Sequence, residues 1–147
     1  MKLRGVVTSL AIGLAACSRG DDAPDAPELP RTAADSAAAD AGVLGAEITR
    51  LLDLAADYRS SHRGRAARTL RDLATDSLTP TLARSVRAAG NTSFVTVAFR
   101  NPAGCRYRSC TGDLSVLESA GIGGGDYQLS CTMPDGTTQP VRVGGIE

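Results

Sequence analysis

Residues 43–60, VLGAEITRLLDLAADYRS, carry apolar side chains at the spacing of an α-helix. With 3.6 residues per turn, the side chains that share one face are Leu44, Ile48, Leu51, Leu52, Ala55 and Tyr58. Charged residues occupy the other faces, and Ser61-His62-Arg63-Gly64 interrupts the pattern. We therefore predict an amphipathic helix from Val43 to about Ser60.

Two shorter helices are predicted after this one. Leu70 and Leu73 supply the apolar positions of a short second helix. For a third helix, Thr79 can cap the start, Pro80 suits the first helical position, and Gly90 stands where a terminating glycine is expected.

Beyond Gly90 the apolar spacing changes to every second residue, which is typical of strands. This alternation predicts strands over residues 92–100, 105–108 and 126–133, whereas residues 111–125 fit neither pattern clearly. A turn at 134–136 then precedes a last strand that ends near Val143. Helices followed by strands indicate an α+β domain, residues 43–147, with N-terminal helices packed on a small antiparallel sheet.

The first residues have the anatomy of a secretory signal peptide. Lys2 and Arg4 are positive, and the uncharged stretch 5–16 is shorter than the roughly 20 residues that span a bilayer. Small residues precede Cys17, and this arrangement resembles the lipobox of bacterial lipoproteins. The resemblance implies cleavage between Ala16 and Cys17, diacylglycerol transfer to the Cys17 thiol, and acylation of the new amino group by palmitate or a similar chain.

This resemblance also implies a location in the cell envelope, with a membrane as the partner of Cys17. Ser18 follows the cysteine, and in diderm bacteria a residue other than aspartate there favours the outer membrane. An ordinary secretory signal with a cysteine at its end is the alternative.

Residues 17–42 are predicted to be a disordered tether behind the lipid. The segment is rich in Ala, Asp and Pro and has almost no large apolar side chain with which to form a core. Of its charged residues, six are acids and only Arg19 and Arg31 are basic.

Three further cysteines stand in the last third of the chain. Export would place them in a compartment that permits disulfides. Alternation puts Cys105 and Cys131 on inward strand faces, which favours a bridge between them, with Cys110–Cys131 as the next choice. A zinc site would need a fourth ligand, and the only histidine, His62, is far away in the sequence. We therefore expect neither a metal nor another cofactor.

The order of elements resembles the globular part of type IV pilins and pseudopilins. The residues that carry this resemblance are the helix end at 51–59, LLDLAADYR, and the short stretch 69–73, TLRDL, ahead of a late sheet with cysteines. It covers about residues 43–143. The long apolar assembly helix of pilins is absent here, where a lipobox and a tether stand instead, so assembly by the pilin route is not implied.

No set of residues predicts catalysis. His62 has no nucleophile motif near it, and the glycine-rich stretch 121–125 lacks the lysine and helix start of a phosphate loop. We therefore expect a non-catalytic interaction or structural lipoprotein that acts as an accessory to a surface or secretion assembly.

Five arginines within thirteen residues form the one unusual charged feature of the predicted domain: Arg59, Arg63, Arg65, Arg68 and Arg71. Guanidinium groups in such clusters suit phosphates and carboxylates. The alternative function is therefore a binding module for an anionic envelope ligand or an acidic protein, whereas a solvated face balanced by nearby aspartates is the plainer interpretation. Export argues against nucleic acid as the partner.

Overall fold

The computed structural model describes residues 33–73, 81–120 and 127–143, and it confirms the α+β class. Helix α1 (Ala33–Ser61) packs on a five-stranded antiparallel sheet of order β1-β2-β3-β4-β5. The strands are β1 (Leu82–Ala89), β2 (Thr92–Phe99), β3 (Ser109–Asp113), β4 (Tyr127–Thr132) and β5 (Thr138–Val143). A 3-10 turn (Leu70–Leu73) follows α1, and the short helix α2 (Leu114–Ala120) connects β3 to β4.

The core lies between α1 and one face of the sheet. The predicted apolar face of α1 is buried, with Leu44, Ile48 and Leu52 at most 1% exposed. The helix approaches closely because β3 has no side chain at Gly112, where a Cβ would lie 2.7 Å from Ile48 Cγ2. Val95 and Val97 of β2 fill the layer beside it.

Helix α1 begins at Ala33, ten residues before its predicted start, so the predicted tether boundary at residue 42 is wrong. Asp40 is 6% exposed, and its carboxylate accepts a hydrogen bond from the Arg106 backbone N–H. The alanines of this segment are too small to form a core, but alanine is also the best helix former. Burial of Asp40 is tolerated because its carboxylate has a backbone N–H donor. The signal peptide, Cys17 and the rest of the tether lie outside the described residues.

The predicted third helix is wrong, because the chain from Leu82 to Ala89 is strand β1. It pairs with β2 over eight residues, from Leu82↔Phe99 to Ala89↔Thr92. Gly90 has φ +59° and forms the hairpin turn with Asn91, so this glycine turns a hairpin and does not end a helix. The predicted cap at Thr79 lies outside the described part of the chain.

The short second helix is present as the 3-10 turn Leu70–Leu73. The strand predicted over Cys105–Arg108 is not one, although Cys105 and Tyr107 are buried as predicted. The unassigned stretch after Thr111 holds the end of β3 and then α2, whose Val116 N–H donates to Asp113 Oδ1 at 3.0 Å. The last two strands and the turn between them are confirmed.

The disulfide joins Cys110 and Cys131, so the favoured Cys105–Cys131 pairing is wrong and the second choice is right. The two cysteines are directly opposite in the β3–β4 register, and both are fully buried. In one continuous strand, Cys105 and Cys110 would face opposite sides because they are five residues apart. The backbone at 105–108 is irregular, so this alternation does not hold and both cysteines are buried. The bridge closes a separation of 21 residues, and such a loop is worth about 3 kcal/mol in the chain-entropy model.

We predict that Gly112→Ala lowers the free energy of unfolding by about 1–3 kcal/mol, because the added methyl group overpacks the seam between α1 and β3. Urea denaturation measures the change.

Gly42→Ala is the matched control, since nothing lies within 4 Å of the Cβ position at this exposed residue of α1. It should raise stability by roughly 0.5–1 kcal/mol through helix propensity. A Gly112→Ala protein as stable as the unsubstituted one would contradict the close approach.

Candidate functional site

The arginine-rich stretch begins where α1 ends. Arg63 and Gly64 have positive φ angles of 57° and 79°, which reverse the chain after Ser61. The Gly64 N–H donates to the Arg59 carbonyl at 2.9 Å and closes the helix end. The His62 ring stacks on Tyr58 with centroids 3.9 Å apart.

Arg59 does not belong with the other four arginines. Its guanidinium group forms an ion pair with Glu118 of α2. The structure therefore divides the predicted cluster of five, and the remaining members are exposed to solvent after the helix: Arg63, Arg65, Arg68 and Arg71. We call these four residues the distal arginine segment.

The backbone of the distal arginine segment is held in place from both sides. Ala67 is fully buried, and its carbonyl accepts a hydrogen bond of 3.0 Å from the buried Ser93 hydroxyl of β2. The Asp72 carboxylate accepts two bonds of 2.9 Å, from the backbone N–H groups of Arg68 and Thr69. The guanidinium groups therefore project from a backbone that the core positions.

These backbone N–H donors hold the pKa of Asp72 below its ordinary value, because they stabilise the charged carboxylate. Asp72 is the acid nearest to the arginines in sequence, and its carboxylate is directed at the backbone of the turn. Both bonds end on Oδ2, so this oxygen of Asp72 serves the backbone of the turn.

A second candidate surface, which is concave, lies on the sheet face opposite α1. It is a shallow groove with a volume of about 700 Å³, lined by hydroxyl and amide side chains of β3, β4 and β5. Thr111 in its lining is hydrogen-bonded at 2.8 Å to Thr96 of the neighbouring strand, and Arg87 lies 4.2 Å above the Phe94 ring at its edge. Sequence patterns did not mark this groove, because its residues are the outward half of the strand alternation.

The polar groups beneath α1 serve the packing of the helix. The Tyr127 hydroxyl donates to the Gly45 carbonyl at 2.7 Å, and burial raises the pKa of this phenol. Arg84 Nε donates to Glu47 Oε1 at 2.6 Å, with the Arg84 side chain only 2% exposed. These contacts join β1 and β4 to α1.

Within the described ranges, no three His, Cys, Asp or Glu side chains are grouped as metal ligands. Across the same residues, no helix has both the length and the apolar character to cross a membrane. No protein-family model, curated protein or solved structure matches the chain. The resemblances to lipoproteins and to pilins therefore stay predictions.

We predict that Asp72→Ala speeds hydrogen exchange at the Arg68 and Thr69 amides, since both lose their acceptor. A lowered folded-state pKa means that this protection is complete above the ordinary aspartate pKa and is lost as the pH falls through the lowered value. NMR exchange rates between about pH 2 and pH 6 test this. Asp57→Ala removes an exposed carboxylate of α1 and should leave both amides unchanged; equal effects of the two substitutions would contradict the assignment.

Proposed function

We propose that this chain is the precursor of a lipid-anchored protein of the cell envelope, and that its domain is a non-catalytic interaction module. The observation that carries the proposal is the N-terminal sequence: a positive start, the uncharged stretch 5–16, and small residues directly before Cys17. Cleavage before Cys17 would leave the α+β domain behind a lipidated cysteine.

The bridge between Cys110 and Cys131 supports export. Disulfides persist in oxidising compartments such as the periplasm and are rare in a reducing cytoplasm. This one lies at the centre of the sheet with both cysteines buried, where it stabilises the fold rather than taking part in exchange.

An interaction role is supported by the surfaces that the domain leaves exposed. The sheet carries a hydroxyl-lined groove on the face opposite α1, and the distal arginine segment projects from the end of the molecule beyond Ser61. The proposed role is that of an accessory to a surface or secretion assembly, in line with the resemblance to pilins.

We predict that cells expressing the full chain incorporate labelled palmitate into it, and that Cys17→Ser abolishes the label because the thiol that accepts diacylglycerol is lost. Ser18→Ala is the matched control and should keep it. The readouts are autoradiography and detergent partitioning. A Cys17→Ser protein that is still processed and bound to the membrane would contradict the lipid anchor.

A second candidate function is the binding of an anionic ligand by the distal arginine segment. It is favoured by the fixed backbone beneath four exposed guanidinium groups and by the ion pair that removes Arg59 from them. Planar guanidinium groups bind phosphate and carboxylate oxygens with paired hydrogen bonds.

We predict that the mature chain binds inorganic polyphosphate with an affinity that falls as salt is raised, since charges on the surface are screened. Arg65→Gln with Arg68→Gln should weaken binding several-fold, and Arg59→Gln should weaken it less, because Arg59 is paired with Glu118. Isothermal titration at two salt concentrations gives both affinities. Equal losses for the two variants would contradict a site at this segment.

A further inference from the structure

A second group of arginines lies at the opposite end of the domain, in the loop of residues 100–108 that joins β2 to β3. Arg100, Arg106 and Arg108 are all exposed, and no acid occurs in the loop. We call these three residues the proximal arginines, because the loop contacts α1 near the end where the helix begins.

The loop backbone is fixed at each of these arginines. The Arg100 N–H donates to the Thr81 carbonyl at 2.9 Å, and the Arg108 N–H donates to the Thr132 carbonyl at 2.8 Å. The Arg106 N–H donates to the carboxylate of Asp40.

Burial alternates along the same loop and directs the arginines outward. Cys105 and Tyr107 are 5% and 6% exposed, so the side chains between and after them face solvent. The proximal arginines therefore form a positive rim on a backbone that the fold holds in place.

The contact between Asp40 and Arg106 shows how far the rim lies from the start of α1. Asp40 lies seven residues after Ala33, so the loop is within about 10 Å of the helix start along the α1 axis. The distal arginine segment begins after Ser61, about 32 Å away in the other direction. Of the two arginine groups in the described part of the chain, the proximal arginines are thus the one at the end of the domain that continues toward Cys17.

The chain between that end and Cys17 is short. Residues 17–32 span at most about 55 Å, whatever path they take. A lipid on Cys17 would therefore keep the rim within about 55 Å of the bilayer surface, and the helix end that carries the rim is the first part of the domain along the chain from the lipid.

We propose that the proximal arginines dock on the anionic phospholipid headgroups of the membrane in which Cys17 is anchored, and so orient the domain with its distal end away from the bilayer. The inference rests on the lipid anchor proposed above. Arginines close to an anionic leaflet attract it through the negative surface potential, and the attraction fades within a Debye length.

Few acids oppose the proximal arginines at this end of the described structure. Asp40 is buried and directed at the loop backbone, and Asp135, in the β4–β5 turn, accepts hydrogen bonds from Thr137. Residues 18–35 add five acids to the same end of the chain, together with Arg19 and Arg31: Asp21, Asp22, Asp25, Glu28 and Asp35. The test therefore uses the whole mature chain, in which these acids compete for the arginines.

The experiment measures sedimentation of the unlipidated mature chain, residues 17–147 with Cys17→Ser, with vesicles. One vesicle contains phosphatidylcholine with phosphatidylglycerol, and the other contains phosphatidylcholine alone. We expect partition onto the anionic vesicle only, and a loss on the order of tenfold or more when Arg100, Arg106 and Arg108 are all replaced by glutamine.

The matched comparison replaces Arg63, Arg65 and Arg68 by glutamine, which removes the same charge from the other end of the domain, and it should weaken the partition clearly less than the proximal triple does. Replacing the proximal arginines by lysine should keep binding, because a diffuse surface charge does not require guanidinium geometry. Circular dichroism shows that each variant is folded.

Equal losses from the two glutamine triples would overturn the proposal, as would an absence of binding to the anionic vesicle. Because the chain in this assay carries no lipid, its result is independent of palmitate labelling. Labelling that fails while vesicle binding persists contradicts the anchor, and the reverse contradicts only the docking of the rim.

Discussion

The close contact between α1 and β3 at Gly112 is the constraint on which the rest of the structure depends. A Cβ at this position would lie 2.7 Å from Ile48 and 3.2 Å from Leu129, so only glycine allows the helix to lie this deep in the sheet. At that depth α1 also contacts the strands to either side, with Glu47 paired to Arg84 of β1 and Gly45 bonded to Tyr127 of β4. The disulfide holds β3 and β4 together beside the same seam.

Because α1 lies along the sheet, the molecule has two ends, and each end carries its own group of exposed arginines. At one end Asp40 positions the β2–β3 loop with its exposed arginines, and at the other Ser93 and Asp72 position the distal arginine segment. A net charge of zero conceals this arrangement, in which Asp40 and Asp72 accept bonds from backbone N–H groups and Glu47 and Glu118 are paired with arginines. The proposed functions at the two ends follow from this separation along one helix.

Much of the fold could be predicted because its periodic segments are long. The buried face of α1 and the alternation of β4 both follow from residue spacing. Strand β1 could not be predicted, since LARSVRAAG ends in a glycine that is equally suited to a helix terminus and to a hairpin turn, and pairing with β2 decides between them. Alanines before Val43 likewise fit a tether or a helix, and the bond between Asp40 and Arg106 joins residues 66 positions apart.

The candidate site was only partly visible in the sequence. The five clustered arginines were evident, but the partner of Arg59 is Glu118, which is 59 residues away and comes close only through the packing of α2. The proximal arginines escaped notice because a turn and a buried cysteine separate Arg100 from Arg106. The sequence does contain a signal for them, because residues 100–112 hold three arginines and no acid.

Amide hydrogen exchange of the folded chain tests the central claim most directly, because the packing of α1 against Gly112 determines which amides open only on global unfolding. The account predicts that amides from Ile48 to Ala55 exchange as slowly as those of β2, and that the Arg106 amide is protected by Asp40. Exchange of these α1 amides by local opening, well ahead of β2, would contradict it.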